Sequence, residues 1–264
     1  MRTTDIASST DLHVEHWGDG TPVVLVHGSL ATGAQEWDAQ RTLADEGFRL
    51  TVFDRRGYGR SPAAPGEDFS IDAADIAALL GDGAHLVGHS YGGLGALLAA
   101  AQRPAATLSL TLLEPAVTAC GLDEPGWSSL VDSLRSFWRE RELSDHDWVV
   151  EFLVAVGSDP SEFPPDFLAE AAASAPLLRN GRPPFDAELP LDAVRAARYP
   201  KLVVSGGHHA GFDAMCHDLA NQIGADSAVV EGAGHEIQFT GPPLNELLAS
   251  LWRRTADQHT TIEP

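Results

Sequence analysis

One serine in the chain lies between glycines, in a setting that could make it a nucleophile. Ser90 falls in the stretch LVGHSYGGLG, in which residues 88–92 fit a G-x-S-x-G pattern. The apolar residues before it predict a buried strand, and the small residues after it predict a helix. A serine on such a sharp strand-to-helix turn exposes its hydroxyl, which can attack a carbonyl carbon. The alternative interpretation is a turn serine without chemistry.

A serine hydroxyl needs a base to take its proton, so a histidine must lie close to Ser90 in the fold. Six histidines follow Ser90, and His235 has the most suitable surroundings. It stands in EGAGHEIQF, after the last predicted strand, where two glycines leave the loop free to bring an imidazole over the strand ends. The sequence therefore predicts His235 as the base.

The elements that must position these side chains alternate between apolar strands and amphipathic helices. The predicted strands are continuously apolar, as strands buried on both faces of a mostly parallel sheet must be. They cover 22–28, 49–57, 84–90, 107–115, 201–207 and 226–234. The segments between them carry apolar residues at helical spacing and predict the crossover helices. This alternation indicates the α/β fold class.

The rhythm breaks between Thr118 and Pro190, where no strand is predicted. Three helical patterns, GWSSLVDSLRSFWRER, DHDWVVEFLVAVG and PDFLAEAAASAPLL, are joined there by proline-rich turns. We expect a core of residues 1–117 and 191–254, a helical cap of residues 118–190, and a flexible tail of residues 255–264. An apolar stripe along the first cap helix ends in Phe137 and Trp138, and we expect one or the other to line an apolar substrate cavity above Ser90.

The composition narrows the classes of partner. The 264 residues carry a formal net charge of −21, which repels nucleic acids and anionic membranes. With no apolar signal segment and no apolar run long enough to span a bilayer, the expected location is the cytoplasm.

Neither cysteine has a metal-ligand or disulfide pattern, and the pair His208-His209 lacks a third ligand at a sensible spacing. The sequence therefore predicts no cofactor, no metal and a small-molecule substrate.

These motifs together resemble the α/β-hydrolase fold family across nearly the whole chain. The resemblance implies the order serine, acid, histidine, and an oxyanion hole formed by the backbone N–H groups of Tyr91 and of Ser29, which follows the HG of PVVLVHG. His27, Asp54 and Arg55 are then expected to brace loops. In this family the sharp strand-to-helix turn, here residues 88–92, is called the nucleophile elbow. A serine at the elbow argues against the branches of the family whose nucleophile is an aspartate.

The triad acid departs from the commonest pattern of the family. Relatives usually place an aspartate in a G-x-x-D arrangement after the strand that here reads KLVVSGG, but the corresponding positions hold His209 or Ala210. A second arrangement in the family places the acid at the end of the strand after the elbow helix. That strand reads TLSLTLLEP and ends in Glu114. Glu114 is therefore predicted over Asp213, which falls where a helical pattern has begun.

The expected activity is that of a serine esterase or lactonase. Ser90, His235 and Glu114 are predicted to cleave a carboxylic ester or lactone of a small, largely apolar substrate through an acyl-enzyme. Two alternatives stay open at this point. One is a hydrolase-fold protein that binds a small ligand without turnover, and the other is a hydrolase of a thioester or carbon–carbon bond.

Overall fold

The fold, known from a computed structural model, places a seven-stranded sheet at the centre of the described chain. The structure describes residues 11–120, 124–138 and 142–260. The strands are β1 (Val14–Trp17), β2 (Thr21–Val26), β3 (Phe48–Phe53), β4 (Ala84–His89), β5 (Thr107–Leu113), β6 (Lys201–Ser205) and β7 (Asp226–Val229). Their order is β1-β3-β2-β4-β5-β6-β7, and only β1 runs antiparallel to its neighbour. The predicted α/β class and mostly parallel sheet are confirmed.

Helices cover both faces of this sheet and connect its strands. They are α1 (Gly33–Glu36), α2 (Phe69–Leu79), α3 (Ser90–Gln102), α4 (Pro125–Phe137), α5 (Asp145–Ala155), α6 (Pro165–Asn180), α7 (Leu191–Ala196), α8 (Ala210–Ile223) and α9 (Pro242–Thr260). One apolar core lies on the α2, α3 and α8 side, and a second lies beneath α9 on the opposite face. β4 and β5, between these two cores, are buried almost throughout, so their carboxyl ends are fixed in position.

Between Thr118 and Pro190, the described residues form helices α4, α5 and α6 with short 3-10 turns and no strand. Helices α5 and α6 pack against each other, and α4 packs against α8. Trp148 is fully buried in the apolar cluster of this region, which also takes in Leu30 and Tyr58 from the sheet-bearing part of the chain. The region is therefore helical as predicted, and apolar contacts hold it against the sheet-bearing part of the chain.

Three local expectations need correction. β1 was not predicted, because it is a short antiparallel edge strand with two half-buried residues rather than an apolar run. β7 lies at the opposite edge and is mostly exposed, so it is not buried on both faces as predicted. Helix α9 continues to Thr260 through the expected tail, because residues 255–260 contain no glycine or proline to stop it. Residues 261–264 lie outside the described residues.

Candidate active site

Ser90 stands at the first residue of α3, directly after β4. Its φ of +50° lies in the left-handed region, which non-glycine residues adopt at a cost of about 1–3 kcal/mol. The turn is too tight for other side chains, because a Cβ at Gly88 would lie 2.6 Å from the Cβ of Ala96. The predicted strand-turn-helix geometry is therefore present, and it holds the Ser90 hydroxyl at the carboxyl edge of the sheet.

His235 lies within hydrogen-bond distance of Ser90 even though 145 residues separate them. Its Nε2 is 3.1 Å from Ser90 Oγ, and its Nδ1 is 2.7 Å from Glu114 Oε2. Because the carboxylate can only accept, Nδ1 carries the proton and Nε2 is free to accept the Ser90 proton. The structure thus brings together the three side chains that the sequence analysis predicted as nucleophile, base and acid.

Glu114 is fully buried at the end of β5. One carboxylate oxygen accepts from His235, and the other accepts the Gly206 backbone N–H at 2.7 Å. Burial opposes the charge on Glu114, but contacts from His208 and His235 outweigh it and lower the pKa to about 2. Glu114 is therefore a permanently charged partner for His235. Among the described residues, no hydrogen bond joins Asp213 to His235, and one Asp213 oxygen is buried without a partner.

Backbone strain marks the same edge of the sheet. Within the described ranges, the non-glycine residues with positive φ are Leu30 (+72°), Ser90 (+50°) and Glu114 (+34°). Two of them are the predicted nucleophile and acid, and the third follows Ser29, one of the two predicted oxyanion donors. Such strain persists only where the surrounding structure imposes it, and it clusters at functional sites. This observation points to the site independently of any motif.

Two side chains anchor the carbonyl of the Gly28–Ser29 peptide, which lies next to Ser90. The Gly28 carbonyl accepts from His27 Nδ1 at 2.7 Å and from Arg55 Nη2 at 2.9 Å. This peptide bond is trans, so the N–H of Ser29 points away from those two donors. Ser29 and Tyr91 both line the cavity, and Tyr91 lies in the first turn of α3, where backbone N–H groups lack helical partners.

A buried ionic cluster supports this loop. Arg55 is 1% exposed and forms ion pairs with Glu67 and with Asp72, the latter at 2.8 Å. Glu67 also accepts the Ser29 hydroxyl at 2.8 Å. Burial destabilises the charged form of Asp72, so desolvation raises its pKa to about 6 despite the neighbouring Arg55. The expected bracing roles of His27 and Arg55 agree with these contacts.

The cavity beside Ser90 has a volume of about 50 Å³ and is lined mainly by apolar side chains of the helical region. Its apolar lining residues include Trp127, Leu134, Trp138, Phe152, Val156, Pro184, Phe185 and Phe212. Trp138 lines this cavity as the sequence analysis expected, but Phe137 does not. Phe137 instead stacks on Trp148 with ring centres 4.9 Å apart, because adjacent residues at a helix end point about 100° apart.

Two further contacts at the site were missed by the sequence analysis. His208 Nδ1 lies 3.4 Å from Glu114 Oε1, although His208 was weighed only as half of a metal pair. The buried carboxylate of Glu36 accepts the Gly28 N–H at 2.9 Å and lies 3.1 Å from His89 Nδ1. No signal in the sequence indicated that Glu36 would be the partner of His89.

Over 11–120, 124–138 and 142–260, no three His, Cys, Asp or Glu side chains are grouped so that they could hold a metal ion. Cys120 and Cys216 are buried and unpaired with each other. No helix among these residues has the length and apolar character needed to cross a bilayer.

The sheet order, the serine elbow and the helical region above the strand ends define an α/β-hydrolase fold. The sequence model of the alpha/beta hydrolase family matches residues 23–245, so the chain belongs to this family.

Several relatives of similar sequence or structure have names that describe an activity. The chain is similar to a structure of a thermophilic esterase from Thermogutta terrifontis, at 25% identity over 92% of this chain and 93% of that one, with a TM-score of 0.71. It is 30% identical over 151 residues to a pimeloyl-[acyl-carrier protein] methyl ester esterase of Aeromonas salmonicida, covering 56% of this chain and 58% of the relative. A non-heme chloroperoxidase of Streptomyces lividans is 40% identical over 101 residues, covering 35% and 36%. The chain thus spans under two thirds of the length of these curated relatives.

Proposed function

We propose that the protein is a serine hydrolase that cleaves a carboxylic ester or lactone of a small, largely apolar substrate. The observation that carries the proposal is the chain of hydrogen bonds from Ser90 Oγ to His235 and from His235 to Glu114. An apolar cavity beside the hydroxyl and relatives named as esterases support it. Apart from the Glu114 carboxylate, which is paired with His235, no Asp, Glu, Lys or Arg side chain lines this cavity in the described part of the chain, which favours a neutral substrate.

The first half of the reaction forms an acyl-enzyme. His235 Nε2 takes the Ser90 proton while Oγ bonds to the substrate carbonyl carbon, and the carbonyl oxygen becomes an oxyanion. The backbone N–H groups of Ser29 and Tyr91 stabilise that charge. The carbon–oxygen bond to the alcohol then breaks, and His235 returns the proton to the departing oxygen. In a lactone, that oxygen stays attached to the acyl group.

The second half of the reaction releases the acid. Water attacks the acyl carbon after giving a proton to His235, and the bond to Ser90 Oγ breaks as the proton moves back to it. Glu114 stays ionised throughout and stabilises the imidazolium formed in each half. This role fits the low pKa of Glu114, about 2, which results when contacts from His208 and His235 outweigh burial.

Labelling with a fluorophosphonate probe tests the proposal directly. Wild type is expected to be modified at Ser90, whereas Ser90→Ala stays unmodified and loses about 10⁴-fold or more of kcat on a panel of esters and lactones. Circular dichroism confirms that the variant is folded. An unlabelled wild type would support a ligand-binding protein without turnover, and near-normal hydrolysis by folded Ser90→Ala would exclude the serine mechanism.

A further inference from the structure

A second imidazole, that of His208, contacts the buried acid of the site. Glu114 Oε1 lies 3.4 Å from His208 Nδ1, while Oε2 lies 2.7 Å from His235 Nδ1. The first contact has ion-pair distance without the alignment of a hydrogen bond, and the second is a hydrogen bond. The carboxylate thus lies between two histidine rings whose centres are 6.4 Å apart.

The other nitrogen of His208 faces the helical region above the site. His208 Nε2 lies 3.2 Å from the carbonyl oxygen of Val156, the residue that caps the end of α5. A carboxylate and a carbonyl both act only as acceptors, so both ring nitrogens of His208 face acceptors. The doubly protonated ring has a proton on the nitrogen that faces Val156 and places a positive charge at ion-pair distance from Glu114. The geometry therefore favours a positively charged His208.

The groups around His208 support a charge at this position. Glu114 faces it from the end of β5, His235 from the loop after β7, and His209 and Asp213 from its own segment. Burial opposes the charge, but contacts with Glu114 and Val156 and the charge of Asp213 outweigh it and raise the pKa of His208.

We infer that His208 is a positioning residue whose positive charge beside Glu114 opposes the addition of a second proton to His235. This inference rests on the proposed function for its consequence in turnover. A neutral His235 is needed to accept the Ser90 proton, and a nearby positive charge disfavours a second one. His208 thus extends hydrolysis toward acidic pH without touching the substrate.

His89 is the other imidazole next to His235, with ring centres 4.9 Å apart. Its Nδ1 pairs with the Glu36 carboxylate at 3.1 Å, and its Nε2 lies 3.0 Å from the His235 carbonyl. Because this pair is untouched by a change at His208, it contributes the same background in every variant compared below.

The test is to follow the ring signals of His235 by NMR in protein labelled at histidine, which does not require turnover. In His208→Gln, the midpoint of the His235 titration is expected to move up by at least about half a pH unit, from Coulomb's law at this separation in a water-like dielectric. The acidic limb of the kcat/KM profile should move by the same amount. His208→Lys retains a charge and should restore most of the original midpoint.

His209→Asn is the matched control. The His209 side chain accepts the Gly211 N–H at the start of α8, which asparagine can also do, and it does not contact Glu114. This variant should leave the His235 midpoint unchanged. An unchanged midpoint in folded His208→Gln, or an equal movement in His209→Asn, would overturn the inference. Failure of the proposed function would appear separately, as an absence of fluorophosphonate labelling.

Discussion

Glu114 and His235, 121 residues apart in the chain, are joined by a 2.7 Å hydrogen bond between a carboxylate oxygen and Nδ1. The contact is possible because β5 ends in the middle of the sheet, and the loop after β7 returns over that strand end. The imidazole is thereby held with its other nitrogen toward Ser90. Orientation and charge come from one side chain, so they are lost together when it is replaced.

Replacing Glu114 should therefore be far more damaging than replacing Asp213. Glu114→Gln is expected to lower kcat by about 10²–10⁴-fold, because the histidine loses its orienting and stabilising charge. Asp213→Asn should stay within a few-fold of wild type. Steady-state kinetics on one ester checks both variants, and the opposite ranking would transfer the acid role to Asp213.

Trp138 and Phe137 should affect different properties although they are adjacent. Trp138→Ala enlarges the cavity and is expected to change the order of preference across esters with different acyl groups. Phe137→Ala removes a stack on buried Trp148, so we expect about 2 kcal/mol less stability and an unchanged order. An ester panel and urea denaturation of both variants measure these effects. A preference order that changes with Phe137 instead of Trp138 would contradict the assignment.

The backbone N–H of Ser29, rather than its side chain, should be what catalysis needs. Ser29→Pro removes this N–H and is expected to lower kcat by about 10²–10³-fold, which is typical for loss of an oxyanion donor. Ser29→Ala keeps the N–H and loses only the bond to Glu67, so its kcat should fall by a few-fold at most. Equal losses in both variants would assign the effect to loop packing.

The pair of Glu36 and His89 should make stability depend on pH. Burial disfavours a charged His89, but Glu36 outweighs it and raises the pKa of His89 above 6.5. A raised pKa in the folded state contributes stability below pH 6.5, and that contribution is lost as pH rises through the folded pKa. Glu36→Gln should therefore lower the free energy of unfolding more at pH 6 than at pH 9, as measured by chemical denaturation.

A suitable control for this pH dependence is Asp38→Asn, since the Asp38 side chain is 75% exposed and pairs with Arg41 at the surface. It should cost the same small amount at both pH values. A cost for Glu36→Gln that does not change with pH would show that the pair contributes no charge linkage.

The sequence predicted the central elements and the three site residues for a definable reason. Ser90, His235 and Glu114 each follow a segment whose apolar run predicts a strand, and parallel strands bring their carboxyl ends to one edge. The register of neighbouring strands does not need to be known for this argument. The edge strands were harder, because β1 is half-buried and presents no apolar run, and the apolar run that predicts β7 did not indicate that this strand is mostly exposed.

The remaining contacts depend on distances that no local pattern encodes. His208 and Glu36 both contact partners that lie dozens of residues away, and neither stands in a motif that predicts a charge contact. The direction of the Phe137 side chain depends on where α4 ends, because successive side chains of a helix point about 100° apart. Trp138 reaches the cavity and meets Trp148 edge to face, whereas Phe137, one residue earlier, stacks on Trp148 and does not line the cavity.

The left-handed backbone conformation at Ser90 lowers the stability of the fold at the residue that the proposed activity requires. Glycine adopts this conformation without the steric penalty that serine or alanine incurs, so Ser90→Gly should melt at a higher temperature than Ser90→Ala, although both lack the hydroxyl. Calorimetry of the two variants measures how much stability the left-handed backbone at Ser90 costs when the residue is not glycine. Substitutions meant to raise the thermal stability of this protein should lie far from Ser90, because a substitution that removes the backbone strain there also removes the proposed nucleophile.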